Sequence, residues 1–319
     1  MSDTYVIGID LGGTETKGAL VDRNLKIMTN DVCATPAKAG PDVVIAEMGN
    51  MFDRLAKGRS IAAVGIGCPG PLSPSRGIVF NLPNMPGWKN VALRDRFAEC
   101  VSRPVVIEND ANAAAYGEYR GGGWDVDGDM VLLTLGTGVG SGTIINGRVF
   151  GGTFETASEW GHVIVQPDGP ACGCGQRGCL EAYASANAVA ERVRLAVNSG
   201  TESSLAENVR RGETITSRDV EKAMRGGDAL AERVWDEACR YLGLACVAIQ
   251  HAINPRYVLL GGGMSAAGAI LVERVRRHYD GQRWHMFDDA PTIELARLGN
   301  TAGVIGAAAL AWDLAARPQ

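Results

Sequence analysis

The sequence predicts an α/β protein built as two related domains with mixed sheets and a cleft between them. Three observations predict it. Two apolar runs, Tyr5–Ile9 and Met130–Leu135, each lead into a glycine-rich turn and a second strand, so the same unit opens both halves of the chain. Each half then alternates helix and strand, the order of an α/β layer structure. The length, 319 residues, suffices for two domains.

The elements follow in order. Val6–Ile9, Lys17–Val21 and Lys26–Cys33 read as strands joined by tight turns. Val43, Val44, Met48, Met51 and Leu55 repeat at helical spacing. Ile61–Ile66 is a strand, and Gly67-Cys68-Pro69-Gly70-Pro71 after it reads as loop. A helix is expected from Asn90 to Phe97, a short strand over Pro104–Ile107, and an alanine-rich helix over Asn109–Tyr119. After the second hairpin come helices at Ala182–Val197 and Asp228–Ile253, the latter stopped by Asn254-Pro255. Residues 198–227 are polar and read as a surface excursion. Tyr257–Leu260 is a buried strand before Gly261-Gly262-Gly263; a further helix, a strand at Thr292–Arg297 and a helix from about Thr301 finish the chain.

Composition narrows the function classes. The chain is 46% hydrophobic and 21% charged, ordinary for a globular protein. A net charge of −5 gives no basic footprint for nucleic acid. No stretch reaches the apolar length of a membrane span. Met1-Ser2-Asp3-Thr4 leads almost at once into a strand, so a cytoplasmic protein without a leader is expected. A reducing cytosol argues against disulfides among the eight cysteines.

Asp10-Leu11-Gly12-Gly13-Thr14-Glu15-Thr16-Lys17 carries the chemistry of the first hairpin. Adjacent glycines let backbone N–H groups approach an anion; Thr14 adds a hydroxyl donor and Lys17 a positive charge. Asp10 ends the strand, where it can orient a metal-bound water. The stretch reads as a phosphate-handling hairpin or as a plain glycine turn with an acidic edge. Gly136, Thr137 and Gly138 repeat the design, and two such hairpins can grip one polyphosphate. The spacing Gly136, Gly138, Gly140, Gly142 is wrong for a dinucleotide fingerprint, and a strand follows it instead of a helix.

Glu108-Asn109-Asp110 opens the alanine-rich helix. There the helix dipole favours the Asp110 carboxylate, which can accept a proton from a sugar hydroxyl during attack on a phosphoryl group, and Asn109 can bond a neighbouring hydroxyl. The pair also reads as a simple helix cap. His162, Cys172, Cys174 and Cys179 offer one imidazole and three thiolates, the closed shell of a structural zinc, with Gly173, Gly175 and Gly178 letting the backbone wrap the ion. Unligated core cysteines are the alternative. Glu159 and Glu181 flank this cluster. Carboxylates held there bind sugar hydroxyls well, although spacing alone also fits solvated acids.

These residues together spell a family. The chain resembles the ROK family of sugar kinases and repressors, in Asp10–Lys17, Gly65–Gly70, Asn81-Leu82-Pro83, Asn109–Glu118, Leu135–Gly142, Glu159-Trp160-Gly161-His162, Cys172–Glu181 and Gly261-Gly262-Gly263. The resemblance implies an actin-like ATPase (ribonuclease H-like) fold. Its lobes would span 1–118 with about 302–319, and 119–301 with a zinc-binding loop at about 159–181. It implies transfer of the ATP γ-phosphate to a hexose hydroxyl with Mg2+, most directly to the 6-hydroxyl of glucose. Asp110 would be the base. Asn109, Asp110, Glu159, His162, Glu181, Gly70 and Asn81 would contact the sugar. His162 would serve the zinc and the sugar through different ring nitrogens. Asp10, Gly12, Gly13, Thr14, Lys17, Gly136, Thr137 and Gly138 would hold the phosphates, and Gly262 and Gly263 would lie by the adenosine. A homodimer or homotetramer fits the family. N-acetylglucosamine, N-acetylmannosamine, fructose and mannose are the alternative substrates. A sugar-responsive repressor or a sensor without kinase activity is a different class, disfavoured by the negative charge and by Asp110 with both hairpins.

One stretch departs from the pattern. Many relatives read Gly-x-Ala-Gly-Glu-x-Gly-His before the zinc loop, whereas Glu155 and Ser158 replace those glycines here. They are expected to restrict the backbone and to narrow the sugar pocket around C2.

Overall fold

The structure, a computed structural model, describes residues 4–82, 85–125, 127–286 and 288–317. The expected entry through Met1–Asp3, and Pro83 of the Asn81-Leu82-Pro83 motif, lie outside the described residues. In chain order the first elements are β1 (Thr4–Leu11), β2 (Glu15–Val21), β3 (Ile27–Ala34), α1 (Pro41–Ala56), β4 (Ser60–Cys68), β5 (Leu72–Ser73), β6 (Ile78–Asn81), β7 (Lys89–Val91), α2 (Leu93–Val101), β8 (Val105–Asn109) and α3 (Asp110–Gly121). Then come β9 (Met130–Leu135), β10 (Val139–Ile145), β11 (Arg148–Val149), α4 (Glu181–Ala184), α5 (Ala186–Asn198), α6 (Ala206–Arg210), α7 (Ser217–Arg225), α8 (Ala229–Ala252), β12 (Tyr257–Gly261), α9 (Ala269–Asp280), β13 (Thr292–Leu295) and α10 (Ala302–Ala315).

The chain divides into two compact units. Unit 1 comprises Met1–Asp127, Gly142–Ser158 and Arg297–Gln319; unit 2 comprises Gly128–Ser141 and Glu159–Ala296. The motif-based lobes change over at 118/119 and 301/302 instead. Packing accounts for the returned segment: a Cβ at Gly142 would lie 2.6 Å from the Ala115 Cβ and 2.8 Å from the Ala111 carbonyl, so β10 leaves its turn against α3.

The duplication read from the two glycine turns is real at the level of topology. One five-stranded sheet has the order β3-β2-β1-β4-β8 and the other β11-β10-β9-β12-β13. In each, the first strand turns back through a glycine hairpin on one side and pairs in parallel with a later strand on the other.

In unit 1, β1 is buried on both faces, as its unbroken apolar run predicts. Ile7, Ile9 and Leu11 join Met48, Met51 and Leu55 of α1 and Phe97 of α2 in one core. Each fully buried aliphatic side chain of this kind contributes about 1.5–3 kcal/mol. Val6 faces the other way, toward Val304, Ala308 and Ala311 of α10. The small residues of α10 allow unusually close packing: a Cβ at Gly65 would sit 1.8 Å from the Ala307 carbonyl, and one at Gly306 only 1.6 Å from that of Ala113 in α3. A small sheet, β5-β6-β7, follows β4.

Three expectations change. Residues 198–227 are not merely a surface excursion: α7 is capped by a reciprocal Thr216–Asp219 pair and buries Val220, Ala223 and Met224 in the core of unit 2. With nine residues, that helix shows only one i, i+3, i+4 set among charges, too short a pattern to read. The helix expected from Asn90 begins at Leu93, because Lys89–Val91 pairs as β7 with β6. The single helix expected over 182–197 breaks at Ser185, whose hydroxyl accepts the Ala188 N–H at 3.1 Å and starts α5. Among the described residues no helix is long and apolar enough to cross a membrane.

Candidate active site

Unit 1 carries the first hairpin and the Asn109-Asp110 pair. The turn between β1 and β2 closes through the Gly12 N–H to the Glu15 carbonyl at 3.1 Å. Thr35 braces it from β3's end: its hydroxyl donates to the Gly12 carbonyl at 2.7 Å and its N–H to that of Thr14 at 2.8 Å. Gly13 stands in open space, with nothing within 4 Å of where a Cβ would be, and Thr14 is exposed beside it. Lys17 lies opposite Asp10 in the β1–β2 register, and its ammonium also pairs with Glu15 at 3.5 Å.

Asp10, next to last in β1, lies against the start of α10, where a Cβ at Gly303 would lie 2.9 Å from its Oδ2. Burial, and then the negative charge of Asp110, push its carboxyl up to about 6, against the pull of Lys17. Two carboxyls that repel in this way form a natural seat for a divalent cation.

β8 delivers Asn109 and Asp110 to the first turn of α3. Asn109 is the helix cap: its Oδ1 accepts the N–H groups of Ala111 at 2.9 Å and Asn112 at 3.2 Å. The cap reading of this pair is therefore correct for the Asn109 oxygen, and it leaves the amide nitrogen as donor. Asp110 Oδ1 also accepts the Ala111 N–H, at 2.9 Å. Burial nevertheless raises the Asp110 carboxyl above its ordinary range, toward the working range of a general base. Buried Glu108 supports the cap, accepting the Asn109 N–H at 2.9 Å and the Asn112 amide at 3.1 Å. Gly70 and Asn81 meet in the same unit: a Cβ at Gly70 would lie 2.8 Å from the Asn81 carbonyl.

Unit 2 carries the second hairpin and the cysteine–histidine cluster. Potential ligand atoms of His162, Cys172, Cys174 and Cys179 all lie within 4.8 Å of one another. Cys174 Sγ and Cys179 Sγ are 3.7 Å apart, and Cys172 Sγ is 3.7 Å from His162 Nδ1. A tetrahedral zinc, with its usual bond lengths, requires edges of about 3.8 Å between sulfurs and about 3.6 Å between sulfur and nitrogen. The donor set and its spacing therefore fit zinc. Burial, with the crowding of the other thiols, pushes Cys179 up to about 12, a penalty that a cation reverses. Because Nδ1 faces the sulfurs, Nε2 of His162 is left for another partner.

Glu181, the first residue of α4, links this cluster to the hairpin. Its Oε1 lies 3.5 Å from Cys172 Sγ, and its Oε2 accepts the Val139 N–H at 3.0 Å. The same oxygen lies 2.3 Å from where a Cβ at Gly138 would stand, so a side chain at that position would displace the carboxylate. The turn itself closes from the Gly136 N–H to the Gly138 carbonyl at 2.9 Å, with Thr137 exposed at its tip. Ser141 fixes the Glu159–His162 turn by accepting the Trp160 N–H at 2.9 Å. Glu159 is exposed just ahead of it. Gly262 follows β12 at φ 78°, and its backbone comes so close to Leu135 that a Cβ would be 2.6 Å from the Leu135 nitrogen; Gly263 comes next.

Within unit 1 the structure thus gathers Asp10 with Asp110, and Gly70 with Asn81. Within unit 2 it gathers Gly136–Gly138, Gly262, Glu181 and the cluster. Sequence reasoning did not find Thr35, Ser141 or Gly303. Thr35 and Gly303 stand in no recognisable motif, and Ser141, although it lies within Leu135–Gly142, acts through a bond to Trp160 that the motif does not show. Glu108 stood beside Asn109, and its burial against an apolar strand was the available signal.

Residues 6–313 match the ROK family. The chain is 35% identical over 312 residues to a glucokinase of Halalkalibacterium halodurans, covering 96% of this chain and 94% of that protein. Its fold is similar to a ROK hexokinase from Thermus thermophilus, with TM-score 0.80 and 33% identity over 97% of this chain and 98% of that one. It is similar also to a ROK family glucokinase from Streptomyces griseus in complex with glucose and AMPPNP, with TM-score 0.79 and 34% identity over 97% and 99% of the two chains. The resemblance read from the motifs and the actin-like ATPase fold it implied are borne out: the chain belongs to the ROK family.

Proposed function

We propose that this protein is an ATP-dependent glucokinase, transferring the γ-phosphate of ATP to the 6-hydroxyl of glucose to give glucose 6-phosphate and ADP. The observation that carries the chemistry is Asp110, a carboxylate at the first turn of α3 with its basicity raised by burial. Asp110 accepts the 6-hydroxyl proton as that oxygen attacks the γ-phosphorus, and the bond to the ADP oxygen breaks. The similarity to glucokinases over nearly the whole chain supports glucose as the acceptor.

The Asn109 amide nitrogen donates to a neighbouring sugar hydroxyl, its oxygen being spent on the helix cap. Glu159, Glu181 and Nε2 of His162 take further hydroxyls, with Gly70 and Asn81 completing the sugar contacts. Gly12, Gly13, Thr14 and Lys17, with Gly136, Thr137 and Gly138, bind the phosphates through N–H and hydroxyl donors. Gly262 and Gly263 lie along the adenosine. Asp10 would hold Mg2+, which would supply positive charge against the phosphates. His162, Cys172, Cys174 and Cys179 would hold a structural zinc, which would fix the His162 ring and the Cys172 thiolate beside Glu181. We assign the working form to a cytoplasmic homodimer or homotetramer.

The test is ADP release with Mg-ATP against glucose, mannose, fructose, N-acetylglucosamine and N-acetylmannosamine, with the phosphorylated carbon identified by phosphorus NMR. Glucose phosphorylated at C6, with a higher kcat/KM than the others, is expected. A preference for an acetamido sugar overturns the substrate, and phosphorylation at another carbon overturns the placement of the base.

A further inference from the structure

Loop 150–158 holds two residues in a conformation that side chains rarely adopt. Glu155 has φ 59° and Ser158 φ 71°, both left-handed without being glycine. Such backbone persists only where its surroundings hold it. At the base of the loop, the Ala157 N–H donates to the Gly151 carbonyl at 3.0 Å and the Ser158 hydroxyl to that of Phe150 at 3.1 Å. At its tip, Phe154 is 86% exposed, so apolar burial does not hold the loop there.

The anchor is Glu155. Its Oε2 accepts the Ser73 hydroxyl, and its Oε1 the Ser75 N–H at 3.2 Å. Ser73 in turn accepts the Arg76 N–H at 3.2 Å, which ties the carboxylate into the turn between β5 and β6. Burial opposes the charge, but the bonds from Ser73 and Ser75 outweigh it and hold the carboxyl below its ordinary range. On one flank of this turn is Gly70, and Asn81 ends β6 on the other. The Glu155 charge also reaches Glu108, which supports Asn109. In the chain, Glu159 follows four residues on.

We propose that Glu155 is a positioning residue of the sugar site: its carboxylate clamps loop 150–158 onto the β5–β6 turn, so the segments bearing Gly70 and Asn81 are set before the sugar arrives. The proposal rests on the sugar-kinase reading above. A preset loop removes the ordering cost from sugar binding, while the reacting groups and the phosphate hairpins are untouched. The clamp therefore acts on the affinity for sugar and not on the chemical step.

The experiment compares wild type with Glu155→Ala, Ser73→Ala, the double variant and Glu155→Gln. Loss of a hydrogen bond to a charged group corresponds to about a tenfold change. Glucose KM is expected to rise about tenfold in either alanine variant, with kcat and the KM for ATP within twofold. The double variant should be no worse than the worse single one, since both remove the same clamp. Glu155→Gln, which keeps an acceptor, should recover most of the affinity. Unchanged glucose KM in folded Ser73→Ala and Glu155→Ala overturns the proposal, as does a matching fall in kcat. Hydrogen exchange at residues 151–157 of the protein alone reads the clamp without any turnover. Faster exchange in both alanine variants is expected, and unchanged exchange overturns it. Absence of glucose turnover in wild type would instead tell against the kinase reading.

Discussion

Replacing Asp10 by asparagine should make the protein more stable and leave it inactive. Burial and the Asp110 charge raise the Asp10 carboxyl from 3.8 to about 6. A carboxyl raised by folding binds protons more tightly in the native state, so its ionisation opposes folding as pH climbs through that interval. Between 3.8 and about 6 there are about two pKa units. At about 1.4 kcal/mol per unit, the ionised group costs about 3 kcal/mol at pH 7.5 and, by the same linkage, about 1.6 kcal/mol at pH 5. Asparagine keeps the shape and cannot ionise. Without Mg2+ or nucleotide, urea unfolding should therefore favour Asp10→Asn by up to about 3 kcal/mol at pH 7.5, and by roughly half as much at pH 5. The same variant should lose sugar-dependent ADP release, the stability–function trade expected at a strained site. A variant no more stable than wild type at pH 7.5, or a gain independent of pH, would mean that Asp10 ionisation does not oppose folding.

Other outcomes follow from the same geometry. Metal analysis of the purified chain should return one zinc per chain, and Cys174→Ser should lower the thermal midpoint and raise the glucose KM, because the cluster holds His162 and Glu181. In Gly138→Ala the new methyl would start 2.3 Å from Glu181 Oε2, so the carboxylate must move by about 1 Å to reach ordinary contact and loses the Val139 N–H. Loss of that charged hydrogen bond should raise the glucose KM by about tenfold in steady-state assays. Asp110→Asn should keep the fold and the Asn109 cap, seen as an unchanged circular dichroism spectrum with no loss of stability in urea unfolding.

How much of this was legible in the sequence follows from which interactions are local. The two hairpins, the Asn109 cap, the buried β1 and the cysteine–histidine cluster at 162–179 are each written within a short stretch of chain, and all could be read directly. The short strand β7 could not, since Lys89–Val91 has no apolar alternation and exists only by pairing with β6. Nor could α7, whose three buried residues need the rest of the unit 2 core to make sense of them. At the site, Asp10 and Asp110 are a hundred positions apart, and only the fold makes each feel the other's charge. Glu155 shows a middle case: its glycine-like position was visible in the motif, whereas its bonds to Ser73 and Ser75 required the structure.

The most direct test of the central claim is ADP formation from Mg-ATP, with and without glucose, in wild type and in Asp110→Asn. A general base contributes about 100- to 10,000-fold to the rate. Glucose-dependent ADP formation is expected in wild type, with a kcat loss within that range in the variant and the glucose KM changed much less. Equal turnover by the two proteins, or ADP formation indifferent to glucose, would contradict that claim.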